Sequence, residues 1–258
     1  MIIQDVIEYF NTHYPSHLAY DWDNVGLQIG STNEPITGIH IALDLTLEVI
    51  EEAKTHGANL IITHHPFLFK SLSRIDYESY EGRIIKALID HNFTVYAAHT
   101  NYDIGSNGMN KVLADKLGLK NQRPLEMITE DEGIGVIGTI KKRTLREFIV
   151  HVKDSFDLTT VRLISNKKHV DVETVAILGG SGADSDLRHA YQENVDIYLT
   201  GDISYHQAHD MLHLDLTAID IGHATEHHFA AGLKKELGAA FDTQITISAV
   251  DFDPFNLM

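Results

Sequence analysis

A chain of 258 residues with 43% hydrophobic content can bury a full core as one large domain or two smaller ones, which sets disorder aside as the default. It contains no Cys, so disulfides, thiolate metal sites and a cysteine nucleophile are excluded, and any metal site must be built from nitrogen and oxygen. A formal charge of -17 repels phosphate backbones at long range; the longest basic run, Lys141-Lys142-Arg143, reads as a solvated turn, and nucleic acid is not expected as a partner.

Residues 1–10 alternate polar and apolar positions at helical spacing, with Asp5 and Glu8 where a signal peptide needs basic and then uninterrupted apolar sequence. The longest apolar runs are strand-sized, far short of the roughly 20 residues that span a bilayer, so a soluble cytoplasmic protein is expected. After the opening helix and a loop containing Asp21, Trp22, Asp23 and Asn24, a strand is expected over 38–43. Thr46 then caps a helix that stops at Gly57, where a left-handed residue ends it cheaply. A strand over 59–63, a helix over 79–91, a strand over 94–98 and a helix over 107–117 closed by Gly118 complete the first half. The polar stretch 120–132, which contains Pro124, reads as a linker.

The second half is read as a strand over 133–140, a helix over 145–156, and strands over 161–164 and 173–178. There follow a helix over 184–193, a strand over 196–200, a helix over 204–214, a strand over 216–221, a helix over 225–237 and a strand over 244–250. Short apolar runs alternating with helical periodicity are the signature of an α/β protein with largely parallel sheets. Two similar, interlinked α/β lobes fit this order: a first over 1–125, with 222–258 as the candidate segment to complete it, and a second over 126–221.

The candidate chemistry lies just past the carboxyl ends of apolar strands, the edge where α/β sheets form binding crevices. The strand at 59–63 delivers His64 and His65, and the strand at 94–98 delivers His99 and then Asp103. The strand at 196–200 delivers Gly201 and Asp202, and the strand at 216–221 delivers Gly222, His223 and Glu226. Adjacent histidines in an extended backbone point apart, so His64 and His65 suit two ions better than one, with Pro66 restricting His65 to an extended conformation. A polar strand end with two exposed histidines is the competing account, weakened by the Phe67-Leu68-Phe69 that follows. Asp103 can bridge two cations through its two oxygens, or be an Asx turn feeding the next helix. His99 is open to three readings, a ligand, a donor that orients Asp103, or a strand-end histidine, with the second favoured. His223 and Glu226, at i and i+3, share a helical face and can converge, although an acid in a first helical turn also complements the macrodipole.

Weaker signals surround these. His227 and His228 read as an exposed part of the following helix, and Trp22 as a packing residue. The glycine turn Gly179-Gly180-Ser181-Gly182 lacks the Lys of a P-loop and reads as a tight structural turn before an anion cradle. Asp44 and Asp202 end strands and either orient a ligand or cap a helix. No Gly-x-Ser-x-Gly elbow and no His-Glu-x-x-His occurs, so neither a serine hydrolase nor a single-zinc protease is supported.

Taken together, five motifs in fixed order resemble the Nif-three-like dinuclear-metal proteins, homologues of type 2 GTP cyclohydrolase I. These are Asp21-Trp22-Asp23-Asn24-Val25-Gly26-Leu27, Thr63-His64-His65-Pro66, His99-Thr100-Asn101-Tyr102-Asp103, Thr200-Gly201-Asp202-Ile203-Ser204-Tyr205-His206 and Gly222-His223-Ala224-Thr225-Glu226. The resemblance spans nearly the whole chain. It implies two similar α/β lobes of the compact form, a ring-shaped homohexamer with the metal pair facing an inner cavity, and His64, His65, Asp103, His223 and Glu226 as ligands with the carboxylates bridging. Two divalent ions per subunit are implied, and imidazole with carboxylate allows Zn, Mn, Fe, Co or Ni. The implied activity is metal-assisted hydrolysis of a small molecule, with GTP imidazole-ring opening and formate release as the named candidate. A different metallohydrolase, such as a phosphoesterase or peptidase, and a non-enzymatic metal-binding or protein-interaction scaffold are the alternatives.

Overall fold

The computed structural model describes residues 1–183 and 186–255. Its strands, in chain order, are β1 (Gly26–Ile29), β2 (Ile39–Ala42), β3 (Leu60–Thr63), β4 (Thr94–Ala97), β5 (Lys120–Met127) and β6 (Gly133–Thr144). They continue as β7 (Arg162–Ile164), β8 (Asp171–Ile177), β9 (Ile197–Thr200), β10 (Ala218–Asp220) and β11 (Ile245–Ile247). The helices are α1 (Ile3–His13), α2 (Leu47–Thr55), α3 (Tyr80–Asp90), α4 (Thr100–Ile104) and α5 (Met109–Leu117). The later ones are α6 (Leu145–Ser155), α7 (Asp186–Gln192), α8 (Tyr205–His213) and α9 (Phe229–Ala240). No helix among the described residues is long and apolar enough to cross a membrane.

The chain divides into two compact units, one made of Met1–Tyr102 with the segment from Ala230 onward, the other of Asp103–Phe229. The sheet of the first unit has the order β1-β4-β3-β2-β11. β11, β2, β3 and β4 run parallel, with Ala42, Thr63 and Ala97 level with one another, so these carboxyl ends finish at one edge. β1 closes the other side antiparallel to β4. β2, β3 and β4 are buried at every position, as strands covered on both faces must be. Alternation along β4 shows the two layers: Val95 enters the core of α2 and α3, whereas the Tyr96 ring lies 4.8 Å from Phe10 of α1. Both Tyr9 and Tyr14 donate to Glu236 of α9, which ties the returning segment to α1.

The sheet of the second unit has the order β5-β6-β8-β9-β10-β7. Its parallel centre, β8-β9-β10, again ends at one edge, flanked by the antiparallel β5-β6 hairpin and by β7. The α/β class therefore stands. Several local expectations do not. Residues 120–132 are not a linker: 120–127 form β5, an edge strand paired with β6, and Pro124 is tolerated there because an edge strand has one side free of ladder bonds. Lys141, Lys142 and Arg143 lie in the extended end of β6 rather than in a turn. The helix expected over 225–237 opens instead as a tight 3-10 turn, His223–His228, before α9. Of the helix expected over 184–193, residues 184 and 185 lie outside the described residues.

One buried group gives the fold a pH signature. The side chain of His40, in β2, is fully buried between Thr246, 2.8 Å from Nδ1, and Glu52, 3.3 Å from Nε2. Burial pushes its pKa below the usual histidine value, and Glu52 offsets only part of that. Because the folded value is depressed, the contribution is present above the unfolded pKa and is lost as pH falls through the folded one. His40→Gln is therefore expected to flatten the decline in unfolding free energy below about pH 6.5, by less than about 1.4 kcal/mol per pH unit, in urea titrations across that range.

Candidate metal centre

In the first unit the in-register ends of β2, β3 and β4 deliver Asp44, His64, His65 and His99. The backbone N–H groups of His64 and His65 donate to Leu43 O at 3.2 and 3.0 Å, which fixes the loop after β3 to the end of β2. Ring centroids of His64, His65 and His99 lie 5.1 to 5.5 Å apart, and one ring nitrogen from each falls within 4.8 Å of the others. Each ring is held through Nδ1. His64 donates to Ala98 O at 2.8 Å, His65 to Asp44 Oδ1 at 2.8 Å, and His99 to Asp23 Oδ1 at 2.9 Å. An oxygen acceptor at Nδ1 forces the proton onto that nitrogen and leaves the lone pair of the neutral ring on Nε2, the tautomer of a metal-ligating imidazole.

Of the two carboxylate anchors Asp23 is the more deeply set, its side chain buried where that of Asp44 is 44% exposed. Burial works to raise its pKa, but hydrogen bonds from His99 and from the hydroxyl and backbone N–H of Thr100 outweigh it and hold the carboxyl at about 2. A buried acceptor with a depressed pKa thus orients His99, and the Asp21-to-Leu27 motif acquires a physical reason. Asn101 adds support by accepting from His99 N and donating to Tyr14 O.

The second unit repeats the device at the ends of β8, β9 and β10. His223 Nδ1 donates to Asp202 Oδ2 at 2.7 Å. His223 Nε2 then lies 3.0 Å from Glu226 Oε2. With the proton committed to Nδ1, that contact brings a nitrogen lone pair against a carboxylate, which a second proton on the ring or a shared cation reconciles. The separation is what two ligands of one first-row divalent ion adopt, given bonds of about 2.0–2.2 Å. Glu226 is only 4% exposed, and its carboxylate is received by the glycine turn: a Cβ on Gly180, at φ +66°, would stand 2.4 Å from Glu226 Oε1. Gly180→Ala should therefore displace the carboxylate, costing about 1–3 kcal/mol by denaturant unfolding and lowering metal retention.

Asp103, on α4, is held in the second unit by Asn110. The amide of Asn110 donates to Asp103 O at 3.1 Å and accepts from Gly179 N at 2.9 Å. Asp220 plays a matching part, accepting from the backbone of Gly222 and of Ile203 and pairing with Arg162. Sequence reasoning passed over Asn110, Asp220 and Arg162. Asp220 ends a strand as Asp44 and Asp202 follow theirs, and that shared position was the available signal. His228 is not part of an exposed surface: it is half-buried beside Phe156, and burial lowers its pKa to about 4. Trp22, expected to pack in a core or an interface, is 58% exposed and stacked on Tyr20 at 5.6 Å, so it is not part of the core of its own unit.

The donor set fits divalent metal. It is imidazole and carboxylate throughout, with tautomers set for Nε2 ligation in both units. A further mixed cluster, Glu126, Asp186 and His189, lies elsewhere in the second unit.

Comparison with known proteins agrees with these motifs. The profile of the family Duf34/NIF3 (NGG1p interacting factor 3) matches residues 1–254. The chain is 35% identical to the GTP cyclohydrolase 1 type 2 homolog of Lactococcus lactis, over 96% of this chain and 95% of that protein. It is 34% identical to the homolog of that name from Clostridium acetobutylicum, over 98% and 97%. Among solved structures, hypothetical protein SA1388 of Staphylococcus aureus superposes with a TM-score of 0.93 at 31% identity, covering 100% of this chain and 99% of the other. Reduced HcgD from Methanocaldococcus jannaschii superposes at 0.83 and 31%, covering 97% and 98%.

Proposed function

Since the chain belongs to the Duf34/NIF3 family, we propose that it is a dinuclear-metal hydrolase of small molecules whose ligands are His64, His65, Asp103, His223 and Glu226, with GTP the first substrate to test. The observation that carries this reading is the shared anchoring of His64, His65 and His223, each holding its Nδ1 proton against an oxygen and so presenting a basic Nε2. A structural histidine needs only one satisfied nitrogen in any orientation. Three rings set in one tautomer at the carboxyl ends of parallel strands support ligation.

When bound, the cations would supply Lewis acidity and lower the pKa of a coordinated water toward neutrality. The chain's own residues supply the rest. Asp44 and Asp202 hold the proton of their imidazoles on Nδ1 and fix the direction of the rings; the Gly180 turn receives Glu226; Asn110 holds the backbone of Asp103. His99, fixed by Asp23, is proposed as a positioning residue beside His64 and His65 rather than as one of the five ligands. Homohexameric assembly and a cytoplasmic location complete the proposal. The deciding experiment assays metal-loaded protein against GTP, with formate as the readout, and against a phosphodiester panel. Formate release abolished by Asp103→Ala supports the cyclohydrolase reading; turnover of panel members alone overturns it in favour of another metallohydrolase, and no turnover at all points to a metal-binding scaffold.

A further inference from the structure

We propose that the first unit carries a preformed pocket for a small anionic amphiphile: an aliphatic chain ending in one carboxylate or phosphate, bound beneath the 69–75 strap and against α3. None of the five proposed metal ligands lines it, so it stands apart from the hydrolase reading.

The cavity measures about 810 Å³, within the range of small-molecule sites. Its apolar lining is wholly aliphatic, with Ile29, Leu68, Leu72, Ile75, Ile85 and Ile89, and offers no ring on which a nucleobase could stack. Ile75 and Ile89 are 57% and 58% exposed, so this lining is open to an occupant. The strap is pinned at both ends. Leu68 donates to Gln28 Oε1 at 3.0 Å and accepts from Asn24 Nδ2 at 2.7 Å. At the far end Asp76 O receives the N–H and the hydroxyl of Ser79 and sits so close to Gly82 that a Cβ there would lie 1.8 Å away. Walls fixed before binding lower the cost of ordering a ligand.

Charge sets the sign of the head group. Lys70 and Arg74 stand on the strap at the cavity, and neither forms an ion pair or side-chain hydrogen bond among the described residues. In a chain with 37 acidic and 20 basic residues, a surface cation finds an acid easily. Two unpaired cations beside one aliphatic cavity complement an anion that the ligand brings, and a carboxylate or phosphate answers both.

Trp22 is the sole tryptophan, and its ring lies 5.9 Å from that of Phe69 at the start of the strap, so its fluorescence serves as a probe next to the pocket, outside its lining. The test titrates the full-length, metal-loaded protein with decyl phosphate, decanoate and decanol below their micelle concentrations, with calorimetry in parallel. Decyl phosphate or decanoate is expected to give a saturable change, the tighter of the two naming the head group, with decanol at least about tenfold weaker. Combined Lys70→Ala and Arg74→Ala should weaken the anion at least about tenfold, and Ile89→Asp, at an exposed position, should abolish binding, both with circular dichroism and metal content unchanged. Equal affinity for decanol, or no saturable binding by wild type, overturns the proposal. So does a change of oligomeric state in Ile89→Asp without binding by wild type, which would assign the patch to a second copy.

Discussion

Asp103→Ala is expected to reduce bound divalent metal from about two ions per chain to fewer than one, measured by elemental analysis of untagged protein, while leaving the circular dichroism of the fold intact. A carboxylate that bridges two cations relieves their mutual repulsion, so its loss removes more than one bond. The backbone of Asp103 is separately held by Asn110, which is why α4 should survive the substitution. Glu226→Ala is expected to act in the same direction. It carries a further cost, since the carboxylate it removes fills the hollow of the Gly180 turn. Full metal occupancy in both variants would remove the carboxylates from the ligand set.

The second large effect concerns the residues behind the histidines. Asp202→Ala and Asp44→Ala should each lower metal affinity about 10- to 100-fold, roughly 1.4 to 2.8 kcal/mol, because His223 and His65 would lose the acceptor that fixes tautomer and direction. Asp202→Asn should recover part of this, since an amide oxygen still accepts from Nδ1. His64 gives the internal contrast: its anchor is the carbonyl of Ala98, which no side-chain substitution removes. Competition with a chelator of known affinity measures the change. Affinity unaltered in both alanine variants would mean that the rings do not ligate through Nε2.

These anchors also show what the sequence could and could not disclose. The strand-end positions of His64, His65, His99 and His223 were legible because each follows a short apolar run of strand length bounded by turn signals, and a strand end fixes where its next residues point. Asp44 and Asp202 were visible as strand-end acids but stayed ambiguous between a helix cap and an anchor, since both roles want a short carboxylate in the same place. Asn110 was invisible. It lies inside a helix, where nothing in the spacing announces that its amide reaches the backbone of both Asp103 and Gly179. β1 was missed because a four-residue edge strand buries too little to show alternation, and β5 because Pro124 and the polar residues around it imitate a linker. The glycine turn looks purely structural in sequence because what it packs against, Glu226, is distant along the chain.

Whether these side chains hold a pair of metal ions is decided by anomalous scattering from crystals of untagged protein at the edges of the candidate metals. Two peaks per chain within bonding distance of the Nε2 atoms of His64, His65 and His223 and of the carboxylates of Asp103 and Glu226 is the predicted result. Absence of anomalous density at these side chains, in crystals grown without chelator and with divalent metal supplied, would contradict it.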